Sequence, residues 1–164
     1  VLYNTGGYER VEMLRLLEGR VQIYLPDLKY YDSALSARYS AAPDYFAVAA
    51  QALREMFRQV GPVRFDENGM LQSGMVVRHL VLPGAHKDSL RLLNWLAGDF
   101  FPGGIRPGFV SPLPVAIREL QRPIFTYEYR KACERAEELG FLGYTQQRSS
   151  ADAAYTPPFD GTGL

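Results

Sequence analysis

Three apolar runs of this chain each end in a short polar group, at the point where a buried β-strand would stop. The polar groups are Asn4 and Thr5 before Gly6-Gly7, Asp27 with Lys29, and Arg78 inside the run 75–82. In a parallel α/β barrel the carboxyl ends of the strands open onto one mouth, and ligands bind there. We therefore expect these side chains to lie together and to form one site for an anionic ligand.

Three strands are predicted from the short apolar runs. The first contains Leu2 and Tyr3, the second spans 21–25 and stops at Pro26, and the third spans 75–82. The third run is almost entirely apolar, which is typical of a parallel strand that is covered on both faces. Between the second and third strands, Asn68-Gly69 predicts a small hairpin.

Helices are predicted where apolar residues recur every three or four positions. They cover 11–17, the stretch from Pro43 to Gly61, the stretch after Gly84, and the stretch from Thr126 to Gly140. Strands that alternate with helices in this way favour an α/β fold, with parallel strands and helices outside them. Residues 102–123 are rich in Pro and Gly, so only a short strand over 109–111 is expected there.

The composition excludes several classes of function. Lys plus Arg number 18 and Asp plus Glu number 18, so no basic surface is available to attract nucleic acid or an anionic membrane. No apolar run approaches the roughly 20 residues of a membrane-spanning helix, and we expect a cytoplasmic protein. The single Cys133 cannot form an intrachain disulfide or hold an iron–sulfur cluster by itself.

The chain begins at Val1, without a methionine and already inside a strand-like run. We expect it to be the C-terminal part of a longer protein. Residues 1–140 are predicted to form the folded unit, and residues 141–164 a polar C-terminal tail.

Three segments carry a resemblance to a known family. They read Tyr-Asn-Thr-Gly-Gly-Tyr at 3–8, Tyr-Leu-Pro-Asp-Leu-Lys-Tyr at 24–30, and Val-Arg-His-Leu-Val-Leu-Pro-Gly at 77–84. In this order and spacing they resemble the second half of radical S-adenosylmethionine (SAM) proteins related to pyruvate formate-lyase activating enzyme. The tail, at 144–150 and 155–160, resembles an uncharacterised iron–sulfur branch of that family.

The resemblance implies a partial TIM-like (β/α)6 barrel, of which this chain would be the C-terminal part. It also implies SAM laid across the strand ends and a [4Fe–4S] cluster held by a Cys-x-x-x-Cys-x-x-Cys loop, whose ligands would lie outside this chain. In such enzymes the cluster, supplied by an electron donor, cleaves SAM reductively to a 5′-deoxyadenosyl radical. The full-length parent is therefore expected to be an enzyme, one possible protein substrate being a glycyl-radical enzyme, and the isolated chain is expected to be inactive.

The polar strand ends suit the binding of SAM. The planar fork of Arg78 suits a carboxylate or ribose oxygen, and Asn4 and Thr5 suit the amino-acid or ribose part. Asp27 and Lys29 share strand parity and should face the same side; by resemblance they line the SAM and substrate pocket. Asn4 stands where relatives carry Asp, which argues against a cation there. No catalytic residue and no metal ligand is identified in the chain.

Other interpretations of the same residues remain open. Asp27 and Lys29 fit an ordinary solvated turn after Pro26, and His79, out of phase with Arg78, fits a hydrogen-bonded core histidine facing the helices. Lys29 at a strand end also fits the Schiff-base lysine of a barrel aldolase. A third alternative is a truncated, non-catalytic fragment or a module that binds a partner.

Overall fold

The computed structural model describes residues 1–100 and 126–141. Four strands within these ranges form one sheet, namely β1 (Leu2–Thr5), β2 (Ile23–Pro26), β3 (Arg64–Phe65) and β4 (Leu71–Met75). Their order is β1-β2-β4-β3; the first three are parallel to one another, and β3 is an antiparallel edge strand. The fold is therefore α/β, as expected. Over the described ranges the sheet is open, and the barrel stays a prediction.

Five helices accompany the sheet in the described ranges. They are α1 (Val11–Leu16), α2 (Ser33–Ser40), α3 (Tyr45–Val60), α4 (His86–Phe100) and α5 (Thr126–Glu138). All but α2 lie where the apolar spacing predicts a helix. The start of α2 is marked by Asp32, whose carboxylate accepts hydrogen bonds from the backbone N–H groups of Ala34 and Leu35. Such a cap stabilises a helix by about 1 kcal/mol.

Alternate residues of the parallel strands face opposite sides of the sheet. Tyr24, Leu28 and Met75 point to one side and are fully buried, packed with Leu53 and Met56 of α3 in the main core. Residues of the other parity face away from that core, and all of them except Gly74 are exposed or only partly buried. This second face carries the charged residues of the strand ends, because Asp27, Lys29 and Arg78 share its parity.

The prediction that Pro26 ends the second strand is confirmed, although the strand begins at Ile23 and not at residue 21. Pro26 is the last residue of β2, and its carbonyl oxygen accepts a hydrogen bond of 2.8 Å from the Arg78 N–H. Because proline has no N–H to donate, the pairing of β2 with β4 is interrupted at this level. It resumes one residue later as an isolated parallel bridge between Asp27 and Arg78.

The third parallel strand begins earlier and ends sooner than predicted. The expected hairpin is confirmed: β3 pairs with β4, and the Asp66 carboxylate closes the turn by accepting from the N–H groups of Asn68 and Met70. The second strand of this hairpin continues directly into the sheet and pairs with β2, so β4 starts at Leu71. The residues that follow Met75 approach β2 through single bonds such as the one from Arg78.

The last described helix packs on α4 through small residues. Ala132 and Ala136 of α5 are buried against Val81 and Leu93. Cys133 on the same helix is half-buried, and its burial raises the pKa of the thiol. None of the helices in the described ranges is long and apolar enough to cross a membrane.

Several predictions concern residues beyond the described ranges. These are the strand over 109–111, the Pro-rich stretch as far as residue 123, the two tail segments at 144–150 and 155–160, and all of the predicted tail after residue 141.

Candidate functional site

Asp27 and Arg78 face each other at the carboxyl ends of two neighbouring parallel strands. Their backbones form the bridge described above, and their side chains form an ion pair on the sheet face that points away from the main core. The Arg78 Nη2 atom lies 2.6 Å and the Nε atom 2.8 Å from Asp27 Oδ1. The sequence prediction that these two strand ends converge is therefore confirmed.

Lys29 completes a cluster of three charges. Its Nζ atom lies 3.4 Å from Asp27 Oδ2, the carboxylate oxygen that Arg78 does not use. The side chains of Lys29, Asp27 and Arg78 are 35%, 23% and 30% exposed, so the cluster is neither buried in the core nor fully solvated. Two cations around one carboxylate leave one net positive charge, which favours an anionic ligand.

Part of the hydrogen-bonding capacity of this face has no partner among residues 1–100 and 126–141. Arg78 has five N–H donors, and within the described ranges its Nη1 group contacts no acceptor. Lys29 carries three donors, and the contact with Asp27 occupies one direction only. Asn4, an exposed residue of the same parity, is paired with Leu25, which precedes Asp27 by two residues. As far as the described part of the chain is concerned, these groups are therefore available to a ligand.

The structure does not bring the Thr5 side chain to this cluster. Thr5 has the opposite parity and is buried, and its hydroxyl donates to the carboxylate of Glu9 while it accepts from the Gly7 N–H at 3.2 Å. Both bonds lie within the turn that joins β1 to α1. Thr5 therefore shapes this turn, whereas Asn4 remains on the face of the charged residues.

The Gly6-Gly7 turn closes the site on the β1 side. A Cβ atom added at Gly6 would lie 4.0 Å from Lys29 Nζ, which places this part of the turn beside the ammonium group. A Cβ at Gly7 would lie 2.1 Å from the carbonyl oxygen of Asp27, and Gly7 also has a φ of +78°. Only glycine lets the turn approach β2 this closely.

His79 lies behind the cluster, on the core side of the sheet. Its Nδ1 atom donates to the Leu28 carbonyl oxygen at 2.6 Å, and its Nε2 atom lies 2.9 Å from the Ser89 hydroxyl of α4. Because a carbonyl can only accept, Nδ1 carries the proton. Burial lowers the pKa of His79 to about 4. The interpretation of His79 as a hydrogen-bonded core histidine is confirmed.

Two residues that support the site were not predicted from the sequence. The Asp88 carboxylate in the first turn of α4 accepts 2.9 Å hydrogen bonds from the N–H groups of Tyr31 and Asp32, and burial raises its pKa. Tyr45 places its hydroxyl between the turn after β1 and the end of β2. Both side chains bind backbone groups, so no complementary residue type in the sequence indicates their partners.

The described residues contain no group of three or more His, Cys, Asp and Glu side chains arranged to hold a metal ion. Cys133 lies on α5, packed next to the interface with α4. The donor set in the described ranges therefore does not fit a [4Fe–4S] cluster, which needs several thiolates.

Comparisons of the chain with protein-family models, with curated proteins and with solved structures gave no match in any of the three.

Proposed function

We propose that this chain is the SAM-binding C-terminal part of a cytosolic radical SAM enzyme with a partial (β/α) barrel. In this proposal Arg78, Lys29, Asp27 and Asn4 bind SAM at the strand ends. The observation that carries the proposal is the cluster of Asp27, Lys29 and Arg78 at the carboxyl ends of adjacent parallel strands. Ligands of parallel α/β folds bind at this end of the strands.

The charges of the cluster match the amino-acid part of SAM. The Nη1 group of Arg78, which contacts no acceptor among the described residues, and the Lys29 ammonium can receive the α-carboxylate, because both are cationic donors on one face. The Asp27 carboxylate can accept from the α-ammonium group of the ligand. The site thus offers both signs of charge to a zwitterionic ligand, and Asn4 adds a neutral donor and acceptor beside it.

The cluster that the family uses does not fit the described residues of this chain, so the proposal assigns these residues to binding and orienting SAM only. Fixing SAM in one orientation is the contribution a protein makes when the cofactor performs the difficult chemistry. Activation of a glycyl-radical enzyme remains the proposed role of the full-length parent.

The aldolase alternative is less well supported. A Schiff-base lysine is activated by desolvation or by a second cation nearby. Lys29 instead forms an ion pair with the Asp27 carboxylate at 3.4 Å, and its side chain is 35% exposed, so it is not desolvated.

Isothermal titration calorimetry of the purified chain with SAM tests the proposal. We expect SAM to bind to the wild-type chain and Arg78→Ala to weaken binding about 10- to 100-fold, since a hydrogen bond to a charged group contributes about 1.5–3 kcal/mol. Arg54→Ala is the matched control, because Arg54 forms a two-bond ion pair with Asp99 on the surface, away from the strand ends. It should leave the affinity unchanged.

Two outcomes would contradict the proposal. One is the absence of SAM binding to the wild-type chain at millimolar ligand. The other is equal binding of acetate, inorganic phosphate and SAM, because the site would then select for negative charge and not for SAM.

A further inference from the structure

The hydroxyl group of Tyr45 connects two strand ends of the candidate site. Its oxygen lies 3.1 Å from the Gly6 carbonyl oxygen in the turn after β1 and 3.0 Å from the Asp27 carbonyl oxygen at the end of β2. It also accepts a 3.2 Å hydrogen bond from the Lys29 N–H. Tyr45 itself belongs to neither strand, because it is the first residue of α3.

A phenol hydroxyl has one proton, so the two carbonyl groups share one donor while the Lys29 N–H uses a lone pair. The residue is only 3% exposed, and burial raises the pKa of the hydroxyl, which therefore keeps its proton at any physiological pH. Removing the oxygen would leave the Lys29 N–H and two carbonyl oxygens without this partner. A buried polar group that loses its hydrogen-bond partner destabilises the folded chain.

Aromatic neighbours hold the Tyr45 ring in place. The Tyr8 ring stacks on it at 5.9 Å with an interplanar angle of 7°, and the Tyr30 ring meets it edge-on at 5.4 Å. Tyr8 in turn donates to the Asp44 carboxylate at 2.6 Å. The position of the hydroxyl is thus fixed by packing, independently of the backbone groups that it binds.

We propose that Tyr45 is the positioning residue of the ligand site. It fixes the backbone on both sides of Leu28, so that the Asp27 and Lys29 side chains project together from one face, and it fixes the Gly6 turn beside the Lys29 ammonium. This role rests on the proposed function, since it concerns the same ligand. Tyr45 acts through Lys29 and Asp27 and does not itself touch the ligand.

The test compares Tyr45→Phe with Tyr24→Phe. Tyr24 is also a buried tyrosine of this core, and its hydroxyl donates one hydrogen bond, to Gln59 Oε1 at 2.7 Å. We expect both variants to lose stability but only Tyr45→Phe to weaken SAM binding in calorimetry, by about 3- to 10-fold, which corresponds to about one hydrogen bond. In hydrogen exchange followed by NMR, the Lys29 amide should exchange faster in Tyr45→Phe and at the wild-type rate in Tyr24→Phe.

A double-mutant cycle separates positioning from a general loss of structure. If Tyr45 acts through Lys29, the effects of Tyr45→Phe and Lys29→Ala on the SAM affinity are not additive, and Tyr45→Phe has little effect once Lys29 is removed. Equal loss of affinity in Tyr45→Phe and Tyr24→Phe, or additive effects in the cycle, would overturn the inference while leaving the proposed function intact.

The two proposals can fail separately. If the wild-type chain does not bind SAM, the proposed function is wrong, and the exchange rate of the Lys29 amide still decides whether Tyr45 holds this backbone. An unchanged rate in Tyr45→Phe would show that it does not.

Discussion

Two glycines with almost the same positive φ angle allow the effect of the close approach at the candidate site to be measured. Gly7 has a φ of 78° and Gly19 a φ of 77°. A Cβ atom added at Gly7 would lie 2.1 Å from the Asp27 carbonyl oxygen and 3.5 Å from the Tyr45 hydroxyl oxygen, whereas one at Gly19 would meet nothing within 4 Å. Replacement by alanine therefore introduces the same backbone strain at both positions and a steric contact at Gly7 only.

The structure gives different magnitudes for the two substitutions. Gly19→Ala should lower the free energy of unfolding by about 1 kcal/mol or less, because the left-handed conformation costs an L-residue about 1–2 kcal/mol. The reduced entropy of the unfolded chain offsets about 0.4–1 kcal/mol of that cost. Gly7→Ala has the same strain and must also move the end of β2, since a contact of a Cβ atom below 3.0 Å does not persist.

Moving the end of β2 would disrupt the hydrogen bonds that join Tyr45 to Asp27 and to Lys29. Each of these contributes about 1 kcal/mol. The expected loss for Gly7→Ala is therefore about 3 kcal/mol, roughly three times the loss for Gly19→Ala.

Urea unfolding followed by circular dichroism measures both variants. The midpoint should fall further for Gly7→Ala while the m-value stays constant, because the surface exposed on unfolding does not change. Equal midpoint shifts for the two variants would refute the reasoning, since the contact with Asp27 would then contribute nothing. Gly7→Ala should also lose SAM binding, and Gly19→Ala should retain it.

Two further predictions concern pH. Burial lowers the pKa of His79 from 6.5 to about 4, so the unfolded chain binds the proton more readily than the folded chain does. The free energy of unfolding of the wild type should therefore fall by at most about 3 kcal/mol as the pH drops from 6.5 to 4. His79→Gln should be less stable at pH 7 and should lack most of this slope in urea titrations; an unchanged slope would contradict the assignment. Glu55 has its pKa lowered from 4.5 to about 2, chiefly by hydrogen bonds from Arg58, so its contribution is complete above pH 4.5 and is lost as the pH falls through 2. Glu55→Gln should lower the free energy of unfolding at pH 7 by about 1–2 kcal/mol, a figure that is reduced because Arg58 is exposed. The stability of this variant should also depend less on pH in the acid range, and a dependence as steep as that of the wild type would disprove the assignment.

The convergence of the charged residues could be predicted because it follows from the direction of the strands. A chain that alternates strands and helices places its strands in parallel, and the residues that follow parallel strands then meet at one edge. Asp27 and Arg78 meet in this way. The shared orientation of Asp27 and Lys29 follows from the two-residue period of extended backbone, and the bridge between Asp27 and Arg78 shows that this pairing reaches one residue beyond the end of β2.

The strand boundaries were predicted only in part: β2 ends at Pro26 as expected, but β2 begins two residues later and β4 four residues earlier than the apolar runs suggest. Pro26 keeps a carbonyl bond from Arg78, and the adjacent Asp27 N–H still donates to Thr5. One lost hydrogen bond is therefore tolerated at the end of a strand that is held from both sides. For the same reason the bridge between Asp27 and Arg78 can lie just beyond the proline.

The helix α2 and the role of Thr5 depend on contacts that local sequence patterns do not contain. The Ser33–Ser40 segment lacks a clear apolar face, and its identifiable signal is the capping carboxylate of Asp32. Thr5 is polar and stands at a strand end, as a ligand-binding residue would, but its parity turns the side chain toward Glu9 and the Gly7 N–H. Parity separates it from Asn4, although the two residues are adjacent.

The positioning of the site by Tyr45 could not be inferred from residue types at all, because its hydrogen-bond partners are main-chain groups. Every residue except proline carries the same N–H and C=O groups, so the sequence does not indicate which of them a distant hydroxyl will bind. The partners of Tyr45 lie 39, 18 and 16 positions away, at Gly6, Asp27 and Lys29. Charged side chains at strand ends identify where a ligand can bind, whereas the precision with which they are held depends on such backbone contacts. The variants at Gly7 and Tyr45 therefore address the geometry of the site, and the variant at Arg78 addresses its charge.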